Sequence, residues 1–124
     1  MVEHKNDSGS VKISDEAIAT IAAITAKAVN GVAGLDRGPV QSIADVLGVK
    51  NDTKGIKVSV DKEVVNIEMN IVVEYGREIS EVASAVQERV RESIENMTSL
   101  IVDRVNINVN SVKMYTPGAG AMED

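Results

Sequence analysis

Residues 56–73 read Ile-Lys-Val-Ser-Val-Asp-Lys-Glu-Val-Val-Asn-Ile-Glu-Met-Asn-Ile-Val-Val, and their patterning decides the fold. Ile56, Val58 and Val60 alternate with Lys57, Ser59 and Asp61. Val65, Ile67, Met69, Ile71 and Val73 then alternate with Asn66, Glu68 and Asn70. Successive side chains of a strand point to opposite faces, so this period of two marks a pair of half-buried strands. Asp61-Lys62-Glu63 is the turn of an antiparallel hairpin, although it lacks the Asn-Gly pair favoured in tight hairpins. Val72 breaks the polar phase and is expected to be covered locally.

Downstream the period changes. Ile79, Val82, Ala83, Val86, Val90, Ile94 and Met97 fall on one face of a helix, with Glu81, Gln87, Glu88, Arg91, Glu92 and Glu95 largely elsewhere. Burying its large apolar side chains contributes about 7–15 kcal/mol gross, before entropy. A last strand runs from Ile101 to Met114. Val105, Ile107 and Val109 face one way and Asn106, Asn108 and Asn110 the other. Val112 fits neither phase, which predicts a bulge near Ser111.

Upstream, Val11-Lys12-Ile13 is a short strand that leads into a helix. Ser14 is a suitable N-cap, Asp15 and Glu16 complement the positive first turn, and Ile13 and Ile18 have the spacing of a hydrophobic staple. Ile18, Ile21, Ala22, Ala28 and Val29 form the apolar stripe, which Ile24 widens, and Asn30-Gly31 ends the helix. The abundant alanine predicts close approach to a neighbouring surface. Residues 31–54 are the least regular, with a short helix expected from Pro39 through Leu47, burying Ile43, Val46 and Leu47, and a turn from Lys50 to Gly55.

The order is therefore β-α-(short α)-β-β-α-β. It implies an α+β two-layer sandwich in which a small, mainly antiparallel sheet of three or four strands carries helices on one face. Residues 11–115 are expected to form one domain, flanked by a disordered tail over 1–10 and a flexible tail over 116–124. The 124 residues contain no cysteine, phenylalanine or tryptophan, and only Tyr75 and Tyr115 are aromatic. The core must therefore be built from Val, Ile, Ala, Leu and Met, without disulfides or thiol chemistry.

Composition also limits the partners. A net charge of −6 repels phosphate backbones unless the cations cluster, and Lys12, Lys27, Lys50, Lys54 and Lys57 are scattered in sequence. The N-terminal residues hold no apolar secretory core, and no run approaches the roughly 18–20 apolar residues of a membrane-spanning helix. A cytoplasmic protein is expected, one that meets a membrane through a partner rather than by insertion.

Catalytic candidates are few. His4 is the only histidine and lies in the expected N-terminal tail, so no triad or histidine pair for a metal can be assembled. Glu78, Glu81, Glu88, Glu92 and Glu95 belong to a solvated helix face, where Arg89 and Arg91 can pair with neighbours. No cofactor, metal or catalytic residue is assigned. Gly31-Val32-Ala33-Gly34 fits the bare spacing of a KH-type RNA loop, but its middle residues are apolar and no basic cluster adjoins it. A helix cap and turn explains it better.

The most distinctive surface feature is the polar side of the sheet. Asn66, Glu68, Asn70, Asn106, Asn108 and Asn110 should share one face. Asparagine is a poor strand former, so its alternation invites a reason beyond solvation: a hydrogen-bonding surface for a protein partner or a second copy. Without aromatics to stack bases, nucleic acid is the weaker alternative.

Three stretches carry a resemblance. They are Val11-Lys12-Ile13-Ser14-Asp15-Glu16-Ala17-Ile18 with Val29-Asn30-Gly31-Val32, then Val72-Val73-Glu74-Tyr75-Gly76-Arg77-Glu78-Ile79 with Val86-Gln87-Glu88, and finally Ile94-Glu95-Asn96-Met97-Thr98 with Val105-Asn106-Ile107-Asn108-Val109. Together they resemble the alkaline shock protein family of general-stress proteins in Gram-positive bacteria, over roughly residues 11–114. The resemblance implies a small cytoplasmic protein of cell-envelope homeostasis or alkaline stress, without enzymatic activity, acting through association with itself and with envelope proteins, some of them anchored in the membrane. It supplies no catalytic residues. It also implies glycine where this chain has Ser99, so the turn after the second long helix is expected to differ.

Overall fold

The computed structural model describes residues 2–36 and 55–114. In chain order its elements are β1 (Val2–Asn6), β2 (Gly9–Ile13), α1 (Asp15–Lys27), β3 (Val32–Leu35), β4 (Ile56–Asp61), β5 (Val64–Glu74), α2 (Ile79–Thr98) and β6 (Ile101–Lys113). The short helix expected from Pro39 through Leu47, most of the turn before Gly55, and the tail 116–124 fall outside the described residues.

The alternating stretch forms the hairpin that its pattern predicts. β4 and β5 pair antiparallel from Asp61↔Val64 to Ile56↔Met69. β3 pairs antiparallel with the far end of β5, at Ile71 through Val73. β6 runs parallel to β5 along its whole length, from Val64↔Ile101 to Glu74↔Lys113, reached by the α2 crossover that parallel pairing requires. A strand has two edges, so β3 and β4 share one edge of β5 end to end while β6 takes the other. The handover lies at Asn70, whose N–H donates to Gly55 O and whose carbonyl accepts from Asp36 N–H, both at 2.8 Å. Gly55 has φ +89, and a Cβ there would stand 2.6 Å from the Asp36 carbonyl oxygen. That close approach requires glycine.

The inner face of the sheet holds the core. Val65, Ile67, Met69, Ile71 and Val73 are at most 1% exposed and pack with both helices. α1 opens as expected, with Ala17 N–H donating to Ser14 Oγ at 3.0 Å. Its buried face is Ile18, Ala19, Ala22, Ala23 and Ala26, four of them alanines, which matches the close approach read from composition. Ile24 does not widen this stripe, being 66% exposed, and Ala28 is the exposed C-cap. The stripe turned one residue further than the sequence suggested because small Ala19, Ala23 and Ala26 fit beneath the helix. After α1 the chain turns at Gly31, where φ is +96 and a Cβ would lie 2.7 Å from Val82 Cγ2 of α2.

α2 buries Val82, Val86, Val90 and Ile94, worth about 6–12 kcal/mol gross. Ile79 and Met97, at its two ends, fall outside this buried stripe and are 43% and 69% exposed. The helix closes with Ser99 in the left-handed conformation, φ 62. In β6 the register skips Asn110 between Ile71↔Val109 and Val72↔Ser111, the bulge expected near Ser111, and skips Asp103 as well.

Residues 1–10 are not a disordered tail over the described part. β1 and β2 form an antiparallel hairpin with Val2 opposite Ile13. Two features stabilise it. Asn6 Oδ1 accepts from Ser8 N–H at 2.8 Å in the turn, and Val2 is buried in the core at 1% exposure. A single apolar residue gave the sequence no periodicity to read. His4 therefore sits in a strand, with Nδ1 4.0 Å from Glu63 Oε1 at the β4–β5 turn.

Candidate interaction face

β4, β5 and β6 present their polar residues on the side of the sheet away from the helices. The registers align them in rows across the strands. Lys57, Glu68 and Asn106 form one row, Ser59, Asn66 and Arg104 the next, and Asn70 with Asn108 a third. All six residues expected to share a face are thus brought together, and Lys57 and Ser59, not singled out from sequence, join them. Only the pairing of β4 against β5 reveals this, since neither residue is unusual for a strand.

Hydrogen bonds tie the face together. Asn108 Nδ2 donates to Glu68 Oε2 and to Asn70 Oδ1, each at 3.1 Å, and Asn110 Nδ2 donates to Asn70 Oδ1 at 3.5 Å. The bulge at Asn110 is what lets it reach Asn70 from one position further along. Ser111 Oγ donates to Asp36 Oδ2 at 3.3 Å on the same side. Lys57, Val58, Ser59, Asn66, Ile67, Glu68 and Asn106 line a shallow depression between the strands. Asn66 Oδ1 is buried there without a hydrogen-bond partner among the described residues.

The edge of β6 is equipped differently. Gln87 Nε2 of α2 donates to the Val105 carbonyl at 2.9 Å, and Arg91 Nη2 donates to the Asp103 carbonyl at 3.1 Å. The sequence placed both on a wet helix face. In the fold they cap the start of an edge strand.

The arrangement suits recognition by hydrogen bonding. Among the described residues no polar or charged side chain is fully buried, and no three His, Asp or Glu residues gather as metal ligands. The glycines of Gly31-Val32-Ala33-Gly34 are a helix-to-strand turn and part of β3. Among the described residues no helix is long and apolar enough to cross a membrane.

Fold and face define a small α+β domain with a polar, preordered sheet surface. The chain belongs to the alkaline shock protein 23 family, described by its cell envelope-related function, whose model matches residues 3–114. It is similar to the uncharacterized protein YloU of Bacillus subtilis, 33% identical over 118 residues that cover 94% of this chain and 98% of that one. It is also similar to the uncharacterized protein YqhY of the same organism, 35% identical over 108 residues, covering 87% and 80%. A stress response regulator gls24 homolog of Streptococcus pyogenes is 27% identical, covering 85% of this chain and 59% of that protein. Among solved structures, a cadmium form of the MamM C-terminal domain has the same general fold, with TM-score 0.50 and 14% identity, covering 81% of this chain and all of that domain.

Proposed function

We propose that the chain is a non-enzymatic envelope and alkaline stress protein that acts as a protein–protein interaction module in the cytoplasm. It reaches the membrane through a partner, such as an anchored envelope protein, and it self-associates. The family's envelope-related function and the likeness to a stress response regulator support the setting. One observation carries the mode of action. Glu68, Asn70, Asn108 and Asn110 of the outer face are already bonded to one another, so there a partner meets an ordered surface and little side-chain entropy is lost on binding. The alternative, a KH-like RNA-binding domain, gains nothing from the position of its glycines in a turn and strand.

The test is to image the fluorescently tagged chain in a Gram-positive host, beside a variant with Asn106, Asn108 and Asn110 all replaced by Lys. Envelope enrichment is expected for the native chain and a diffuse signal for the variant, with an unchanged circular dichroism spectrum. A diffuse native chain whose deletion leaves growth under alkaline and cell-wall stress unaltered overturns the proposal. Enrichment retained by the variant removes this face from it.

A further inference from the structure

We infer that the free edge of β6, from Ile107 to Val112, pairs antiparallel with the same edge of a second copy of this chain, joining two four-stranded sheets into one. The inference rests on the self-association proposed above and assigns it a surface distinct from the asparagine face.

Backbone direction identifies the open stretch. The Val105 carbonyl points away from β5, because Gln87 reaches it from α2. Alternation along a strand sends the N–H and C=O of Ile107 and Val109 the same way. Beyond the bulge, the Lys113 carbonyl accepts from Tyr75 N–H at 2.8 Å and so points toward β5, which turns Val112 outward. The caps supplied by α2 stop at Val105. Among the described residues nothing bonds the outward groups of Ile107, Val109 and Val112, and a row of unpaired backbone groups is a template for another strand.

The side chains argue for a second copy as the occupant. Val105 to Val112 reads Val-Asn-Ile-Asn-Val-Asn-Ser-Val, with no charge in a chain that is 26% charged. Two such strands laid antiparallel set amides beside amides on one face and β-branched residues beside one another on the other, and no like charges meet. For a chain of net charge −6, an uncharged strip is where a second copy can approach. The charged residues of β6 lie outside this stretch, Asp103 paired with Arg104 at 3.9 Å at one end and Lys113 at the other. The contact is self-complementary and closes with two-fold symmetry. The opposite border of the sheet differs. β4 has only six residues and carries Lys57 and Asp61, the features that blunt an edge. Val112 is 49% exposed and gains cover in the pair.

Light scattering on the full chain, combined with amide hydrogen exchange by NMR at a low and a high protein concentration, tests this. The expected result is a mass rising to twice the 13.2 kDa of one chain. The Ile107 and Val109 amides should exchange at least about tenfold more slowly at the higher concentration. Ile107→Pro deletes an outward N–H without removing a bond to β5 and should give a monomer. If that variant misfolds, the exchange data decide alone. A monomer at every concentration overturns both the inference and self-association. A dimer whose Ile107 and Val109 amides exchange equally fast at both concentrations overturns the edge alone and leaves self-association to another surface.

Discussion

The two sides of β5 share one backbone and serve different ends. On the inner side Val65, Ile67, Met69, Ile71 and Val73 are sealed between sheet and helices. On the outer side Asn66, Glu68 and Asn70, half-buried or exposed, lie among cross-strand amides, Ser59, Lys57 and Arg104. Inner residues contribute transfer free energy in proportion to the apolar area removed from water. Outer residues contribute little net energy, because each hydrogen bond replaces one with solvent. The fold is therefore held by one side and is free to present chemistry on the other. Ile67→Ala should give the largest effect of a single change on β5, a loss of about 2–5 kcal/mol in urea unfolding, from lost burial plus the cavity it leaves. A loss under about 1 kcal/mol would show that the two sides differ less than their burial indicates.

Asn66 is where the contrast is least clean. It belongs to the outer side, yet its Oδ1 is buried and unpartnered. A buried acceptor without a donor costs about 1–3 kcal/mol, so Asn66→Val should raise the unfolding free energy by about 1 kcal/mol. Asn66 pairs with Arg104, short of the Ile107–Val112 stretch inferred to join two copies, so the same change should leave the mass seen by light scattering unaltered. A fall in stability instead would mean that Asn66 is satisfied by water in the depression it shares with Lys57, Ser59, Glu68 and Asn106.

Which β6 residue joins which side depends on the turn that starts the strand, since a slip of one residue exchanges the two faces. The turn is closely bonded. Ser99 N–H donates to the Glu95 carbonyl at 3.1 Å, Leu100 N–H to Thr98 Oγ1 at 3.2 Å, and Val102 N–H to Glu95 Oε2 at 2.9 Å. Ser99 itself holds a left-handed backbone where the family resemblance implies glycine. Such a conformation costs a non-glycine residue roughly 1 kcal/mol. Ser99→Gly should recover up to about 1 kcal/mol without moving the strand, because the Glu95 and Thr98 bonds set the register. A changed pattern of asparagine amide shifts in the NMR spectrum would instead show that the serine takes part in fixing it.

Much of this was legible in the residues themselves. The period-two run of residues 56–73 specified the hairpin, and Ser14 with Asp15 and Glu16 specified the start of α1. The misfit of Val112 pointed to the bulge at Asn110, and six polar residues of the outer face were named, though not Lys57, Ser59 or Arg104 beside them. What stayed hidden depends on pairing rather than on local pattern. The parallel placement of β6, the sharing of one β5 edge by β3 and β4, and the capping of Val105 by Gln87 arise only when distant segments meet. The β1 half of the β1–β2 hairpin escaped because Val2 is its one apolar residue. Ile24 misled because a 3.6-residue stripe can rotate by one position when alanines line its neighbouring flank.

Val72 offers the smallest and sharpest test of the contrast between the two sides. It is the apolar residue in the polar phase of β5, half-buried, with Gly34 and Ser111 as its cross-strand partners. Gly34 has no side chain and Ser111 a short one, so the cross-strand neighbours give Val72 little cover. Threonine has nearly the same shape, and its hydroxyl costs little where water reaches it but about 1–3 kcal/mol where it is buried without a partner. Val72→Thr should therefore change the unfolding free energy by less than about 0.5 kcal/mol, as for an ordinary surface position. A loss above about 1.5 kcal/mol would show that this end of the outer side is covered, and that the polar surface available to a partner stops at Asn70 and Asn108.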